Sequence, residues 1–393
     1  MSQPAVTGTG PAPAATPPLS WPHVERRRKP RSNRELYIDA FRGLMALVMV
    51  QGHVFDTLLR ADIRADDLYR FQQIFHGSTA PGFLFASGFV AGLPRSPLSF
   101  KASFRRARRL LFVLGLGYAL NLPYLSLWKT MNSASHAELA LGLGCHALHV
   151  IAVTQLFVLL LQWLVGRHWV RVAGALALVI MAVTPLVWDS GLSFRLPLAL
   201  GAYLDQRAAP SQFPVFPFSS FVLAGTAAGA ALGRQDARVR WKRALRWGLA
   251  LLVGGTVVAL AVRGRTDFWL TSPGYTLMRL GALMLLLRGV EALALRRAPG
   301  LRALALFGHE TLLVYVFHLY FLYGGVFTEA PLGSLVGRLS LGAAFATLAA
   351  MVAVLLGMAW AWHRVKIKAP HEATLLLVFL ATMFVYEFLR RPW

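Results

Sequence analysis

Residues 36–59 read LYIDAFRGLMALVMVQGHVFDTLL, and after a short polar link residues 71–92 read FQQIFHGSTAPGFLFASGFVAG. Each stretch is long and apolar enough to cross a bilayer, whose core needs about 20 apolar residues per helix. The pair nevertheless contains Asp39, Arg42, His53, Asp56 and His76. Ionisable groups at membrane depth are costly and face a protein interior or a wet cavity. The two stretches are therefore read as a helical hairpin at the centre of the working site.

The rest of the chain supports an all-α, polytopic membrane bundle. Of 393 residues, 56% are hydrophobic and only 15% charged, which excludes an ordinary soluble domain, a disordered chain and a coiled coil. The single cysteine, Cys145, excludes an intramolecular disulfide framework and a cysteine-rich zinc site. The formal charge is +23, from 40 basic and 17 acidic residues. These basic residues bunch between apolar stretches, as in cytoplasmic membrane loops. They are read as a topology signal, and no nucleic acid is expected as a partner.

Residues 1–34 are expected to form a disordered basic cytoplasmic tail, and residues 35–393 the membrane domain. The Pro-, Ala- and Ser-rich start cannot bury enough to fold. The run from Arg26 to Arg34 then abuts an apolar stretch too long for a signal peptide. Eleven spans are expected, at about 36–59, 71–93, 107–127, 148–166, 169–188, 213–232, 246–262, 274–291, 303–323, 337–361 and 372–389. The even-numbered links carry the basic clusters, such as Arg105, Arg106, Arg108 and Arg109. That alternation places the N-terminus in the cytoplasm and the C-terminus outside, with Arg390 and Arg391 the discordant pair. No long soluble domain and no internal repeat interrupts the series.

Depth sorts the candidate residues. Asp39 and Arg42 lie near the inner surface and, three residues apart, share a helix face. His53 lies eleven residues beyond Arg42, roughly 16 Å farther out and close to three turns on, so the two face the same way. Asp56 is placed to orient the His53 ring, as an acid partner orients a general base. His76 precedes the small residues Gly77, Ser78, Thr79 and Ala80, with a helix break expected at Pro81. Near-neutral titration makes either histidine a general-base candidate. In the stretch FGHETLLVYVFHLYFLYGG, His309 and Glu310 open the span while His318 falls in its outer part, level with His53 and His76. The stretch TSPGYTLMRLG adds Ser272 and Arg279. The spacing of the histidines does not bring them within coordination distance, and no metal is expected. A general base at one face and positive groups at the other suit acyl transfer from an anionic donor, and suit a proton-coupled transporter equally.

These residues carry a resemblance. IDAFRGLMALVMVQGHVFDTLL followed by HGSTAPGFLFASGF is similar to the opening of the transmembrane acyltransferase superfamily, in its heparan-alpha-glucosaminide N-acetyltransferase-like branch. TDFWLTSPGYTLMRLG and LFGHETLLVYVFHLY resemble that branch's late helices. The resemblance implies a bundle of ten or eleven helices, acetyl-CoA or another acyl-CoA as co-substrate, and a sugar or glycan acceptor across the bilayer. It implies that His76, which follows the Arg42–Gly43 motif, is the base. The related acyltransferase-3 family instead has its essential histidine about ten residues past an arginine in the first helix, a spacing close to that of Arg42 and His53. On this reading His76 is favoured as base, with His53 or His318 as assistant and Asp56 as orienting acid. Arg42, Arg279, Ser272 and His309 are assigned to the donor. The setting implied is the cell inner (plasma) membrane, with membrane lipid as a partner and a homodimer among the allowed assemblies. A polytopic transporter or glycan exporter without acyl chemistry is the alternative.

Overall fold

The first of the two deciding stretches forms one uninterrupted helix, and the second does not. The computed structural model describes residues 33–93, 99–233, 235–325 and 329–391; the expected tail, up to residue 32, lies outside these. In chain order the helices are α1 (Asn33–Leu58), α2 (Ala61–Arg64), α3 (Asp67–His76), α4 (Thr79–Gly92), α5 (Phe100–Leu120), α6 (Leu127–Ser133), α7 (His136–Leu143), α8 (Ala147–Val165), α9 (Trp169–Asp189), α10 (Leu192–Arg195), α11 (Leu198–Gly201), α12 (Val215–Leu232), α13 (Ala237–Ala261), α14 (Pro273–Leu295), α15 (Leu301–His309), α16 (Thr311–Tyr323), α17 (Leu341–Lys368) and α18 (Pro370–Arg390). Among the described residues there is no strand, only an isolated bridge between Leu59 and Leu339.

Two of the expected spans are broken. The stretch 71–93 divides at Gly77 and Ser78 into α3 and α4. This corrects the expected break at Pro81, which instead sits in the first turn of α4, where its missing N–H costs no helical bond. The stretch 303–323 divides at Glu310 into α15 and α16, which meet at an 80° bend. Among the described residues six helical stretches are long and apolar enough to cross a membrane, or seven with the bent pair counted as one: Leu36–Leu58, Ala147–Asp189, Val215–Leu232, Arg238–Ala261, Leu341–Lys368 and Pro370–Arg390 form the six. The protein is a multi-pass helical membrane protein. On α18 Leu376, Val378, Phe379 and Leu380 are all exposed, an apolar surface on several sides that suits lipid rather than water.

Small residues set how closely the central helices approach. Gly88 and Gly92 on α4 face Val222 and Thr226 of α12, while Gly225 and Gly229 on α12 face Phe85 and Phe89 of α4. A methyl group at any of the four would strike a backbone carbonyl of the other helix. Two such four-residue spacings let the backbones touch, the usual basis of tight helix pairing in lipid. The N-terminal part of α1 is seated on α15 in the same way, through Gly43 against Leu304 and Gly308 against Asp39. The glycine of the Arg42–Gly43 motif is thus a packing residue. Phe41, Phe85, Phe89 and Phe221 fill the core between these pairs. A second core, with Val50, Val54, Leu58, Val314 and Leu355, joins the far half of α1 to α16 and α17.

Candidate active site

Three histidines meet beside the far half of α1. His53 Nδ1 lies 2.9 Å from His318 Nε2, and His318 Nδ1 lies 2.9 Å from the Val314 carbonyl. A carbonyl only accepts, so His318 carries its proton on Nδ1 and offers a lone pair at Nε2. His53 must then donate from Nδ1, which leaves the lone pair of the neutral ring on Nε2. The His76 ring stands edge-on to that of His53, with centroids 5.3 Å apart. Tyr323 closes another side, 6.2 Å from His53 between centroids, and its hydroxyl accepts from Thr57 at 3.0 Å.

His76 is held from both sides. Its ring occupies the space that a Cβ on Gly52 would need, so α1 carries a glycine there. Its Nδ1 is buried without a hydrogen-bond partner, and its Nε2 lies 3.5 Å from Asp56 Oδ2. Asp56 Oδ1 accepts from the Tyr69 hydroxyl and from Gln73 Nε2. Tyr69, Gln73 and His76 share one face of α3 at helical spacing. Asp56 therefore serves His76 and not His53, which corrects the expectation. Helix spacing alone places it near His53, but α3 folds back along α1 and supplies three competing partners.

Arg279 reaches the same place from α14. Its Nη2 stands 3.2 Å from where a Cβ on Gly77 would be, directly after His76, and its guanidinium lies over the Tyr275 ring at 4.0 Å. Its Nε is buried without a hydrogen-bond partner. Ser272 accepts from Tyr275 N–H at 3.4 Å and caps α14, a structural task that leaves it no bond to the histidines among the described residues.

Arg42 and His309 sit in a second cluster, at the other end of α1. Asp39 lies 3.7 Å from Arg42 and 3.8 Å from His309. Glu310, buried at the bend, accepts from His363 Nδ1 at 2.9 Å and from Lys366 Nζ at 2.5 Å. His309, Glu310 and His363 offer atoms within 4.8 Å of one another, a spacing that could hold a cation, but one carboxylate oxygen already carries the Lys366 ammonium. His363 and Lys366 escaped the sequence reading because a basic link between spans reads as a topology signal. Tyr69, Gln73 and Gly52 escaped it too, although the eight-residue run from Tyr69 to His76 holds the signal for the first two.

Arg240 and Arg288, on α13 and α14, both bind Glu291. Arg288 also lies over Trp241, 4.0 Å from its ring centroid. With Tyr37, Phe85 and Phe89 the three charged residues line a cavity, and two guanidiniums against one carboxylate leave it net positive.

A helical, multi-pass membrane protein with a buried histidine centre at one end of its first span is the class that fold and site define. The family model for the heparan-alpha-glucosaminide N-acetyltransferase catalytic domain matches residues 34–262, and the chain belongs to that family. It is accordingly a membrane acetyltransferase. The match spans α1, α3 and α4, and so His53, Asp56 and His76; Arg279, His309 and His318 lie beyond it. No curated protein matches the chain.

Proposed function

We propose that the protein moves an acetyl group from acetyl-CoA to a hydroxyl or amine of a sugar, envelope glycan or similar acceptor, at the end of α1 where the histidines meet. The observation that carries the mechanism is the bond chain Val314–His318–His53, which leaves a lone pair on His53 Nε2. In this reading His53 Nε2 takes the proton of the acceptor O–H or N–H as that atom attacks the thioester carbonyl. The carbon–sulfur bond then breaks, and the imidazolium returns the proton to the departing thiolate. His318 fixes the ring and stabilises its charged form through the Nδ1–H bond. Arg279, whose guanidinium reaches Gly77 directly after His76, is assigned to the developing oxyanion. The resemblance gives the base role to His76; the buried, Gly52-facing Nδ1 and the Asp56-facing Nε2 of that ring favour His53 instead.

The donor's phosphates are assigned to the opposite face, where the basic side chains Arg240 and Arg288 outnumber Glu291. The proposed setting is the cell inner membrane, N-terminus in the cytoplasm, with eleven embedded segments when both broken helices are counted. Family membership disfavours the transporter reading.

The test uses full-length protein in nanodiscs with labelled acetyl-CoA. Saturable binding and slow hydrolysis are expected, with turnover falling about 10²–10⁴-fold in His53→Ala and less in His76→Ala. Loss confined to His76→Ala would return the base role to α3. No saturable binding of any acyl-CoA would end the donor assignment.

A further inference from the structure

The helix that holds His76 has a second face with none of the described residues covering it. Tyr69, Gln73 and His76 point to the site, while Leu68, Phe71, Ile74 and Phe75 point away and are 72%, 57%, 41% and 58% exposed. Phe71 and Phe75 pack edge-on, with centroids 5.4 Å apart. No residue of α3 is buried, and its outward charges, Asp67 and Arg70, sit in the first turn and pair at 3.2 Å. In water, four large apolar side chains on a ten-residue helix would oppose folding of that helix.

Depth decides what covers them. Gln72 bonds Gln51 at 3.0 Å, the His76 ring rests on Gly52, and Tyr69 reaches Asp56. Leu58 ends the apolar span of α1, so Gln51 lies seven residues inside it, about 10 Å along the axis. α3 thus runs down beside the membrane-embedded part of α1 rather than above it. At that depth a sideways-facing apolar surface meets lipid.

We propose that α3 is a lipid-facing wall of the active site. Its Leu68, Phe71, Ile74 and Phe75 face lies against acyl chains just below the headgroups, while its other face holds Asp56 and positions His76. The bilayer then contributes to the geometry of the histidine centre through a wall one helix thick.

Spin labelling tests this by position and not by activity, so it succeeds or fails separately from acyl transfer. The one native cysteine, Cys145, is buried, which leaves introduced cysteines as the reactive sites. Asp67→Cys, Phe71→Cys, Ile74→Cys and Phe75→Cys would each carry a nitroxide in full-length protein reconstituted into phosphatidylethanolamine–phosphatidylglycerol vesicles. The expected result is severalfold greater collision with oxygen than with a water-soluble nickel chelate at positions 71, 74 and 75, and the reverse at 67. Nickel access at 71 and 75 equal to that at 67 would place the face in water and overturn the proposal. Low access to both reagents would mark a protein contact, a second copy included, and overturn it equally. Three apolar positions keep the result readable if one variant fails to assemble.

Discussion

The two ends of α1 each gather ionisable side chains, and they are built on opposite plans. At one end Asp39 and Glu310 face Arg42 and Lys366, with His309 and His363 between them. Two carboxylates against two cations make a compensated network, and Glu310 is saturated by partners. At the other end three imidazoles share one carboxylate, Asp56, which serves only one of them. Here the hydrogen bonds are arranged in series and end on an unused lone pair. Compensated charge holds the 80° bend of α15 and α16 onto α1; uncompensated lone pairs are what proton transfer needs.

The largest effect that can break this contrast is on turnover. His53→Ala should lower kcat about 10²–10⁴-fold with melting temperature little changed, as measured by acetyl-CoA turnover and thermal unfolding of one preparation. An equal loss from Glu310→Gln at unchanged fold would show that the compensated end is chemical as well.

Gly52→Ala comes next. The new methyl group must displace the His76 ring, because it would fall within it. Misplacing a catalytic neighbour by about 1 Å can cost on the order of 10²-fold in rate, and the overpacking itself about 1–3 kcal/mol. Full activity in Gly52→Ala would mean that the His76 position is not needed.

Glu310→Gln should act on stability instead. It leaves Lys366 without its carboxylate, but the Lys366 side chain is 35% exposed and rehydrates in part. A loss of about 1–3 kcal/mol is expected, below that for a fully buried pair, with turnover per folded molecule within about threefold of wild type. Thermal unfolding alongside single-turnover kinetics separates the two.

Much of this contrast is invisible in the sequence, for identifiable reasons. Hydropathy marked the six long apolar stretches and the bent α15–α16 pair, because lipid selects for apolar side chains whatever their direction. It could not mark the breaks at Gly77–Ser78 and Glu310, since an apolar run looks the same straight or bent. The charged pair His309–Glu310 inside an apolar run was the available hint. The three histidines were legible as a group by depth, and their rings do meet. Their partners were not: Asp56 was matched to His53 by spacing along α1, a local rule overridden when α3 packs back against that helix. Ser272 was assigned to the donor although Ser-Pro-Gly at a helix start is the pattern of a cap.

The smallest effect tests how indirect the Asp56 arm is. Tyr69 donates to Asp56, and Asp56 in turn faces His76. Tyr69→Phe removes that donor but leaves Gln73 on the same oxygen. One hydrogen bond of this kind is worth about 0.5–1.5 kcal/mol, so kcat should fall roughly 3–10-fold with KM for acetyl-CoA unchanged. The acid limb of the pH–rate profile, which belongs to His53, should not move. A shifted acid limb, or a loss approaching that of His53→Ala, would put Asp56 and His76 in the proton path and make the two histidine arms one machine.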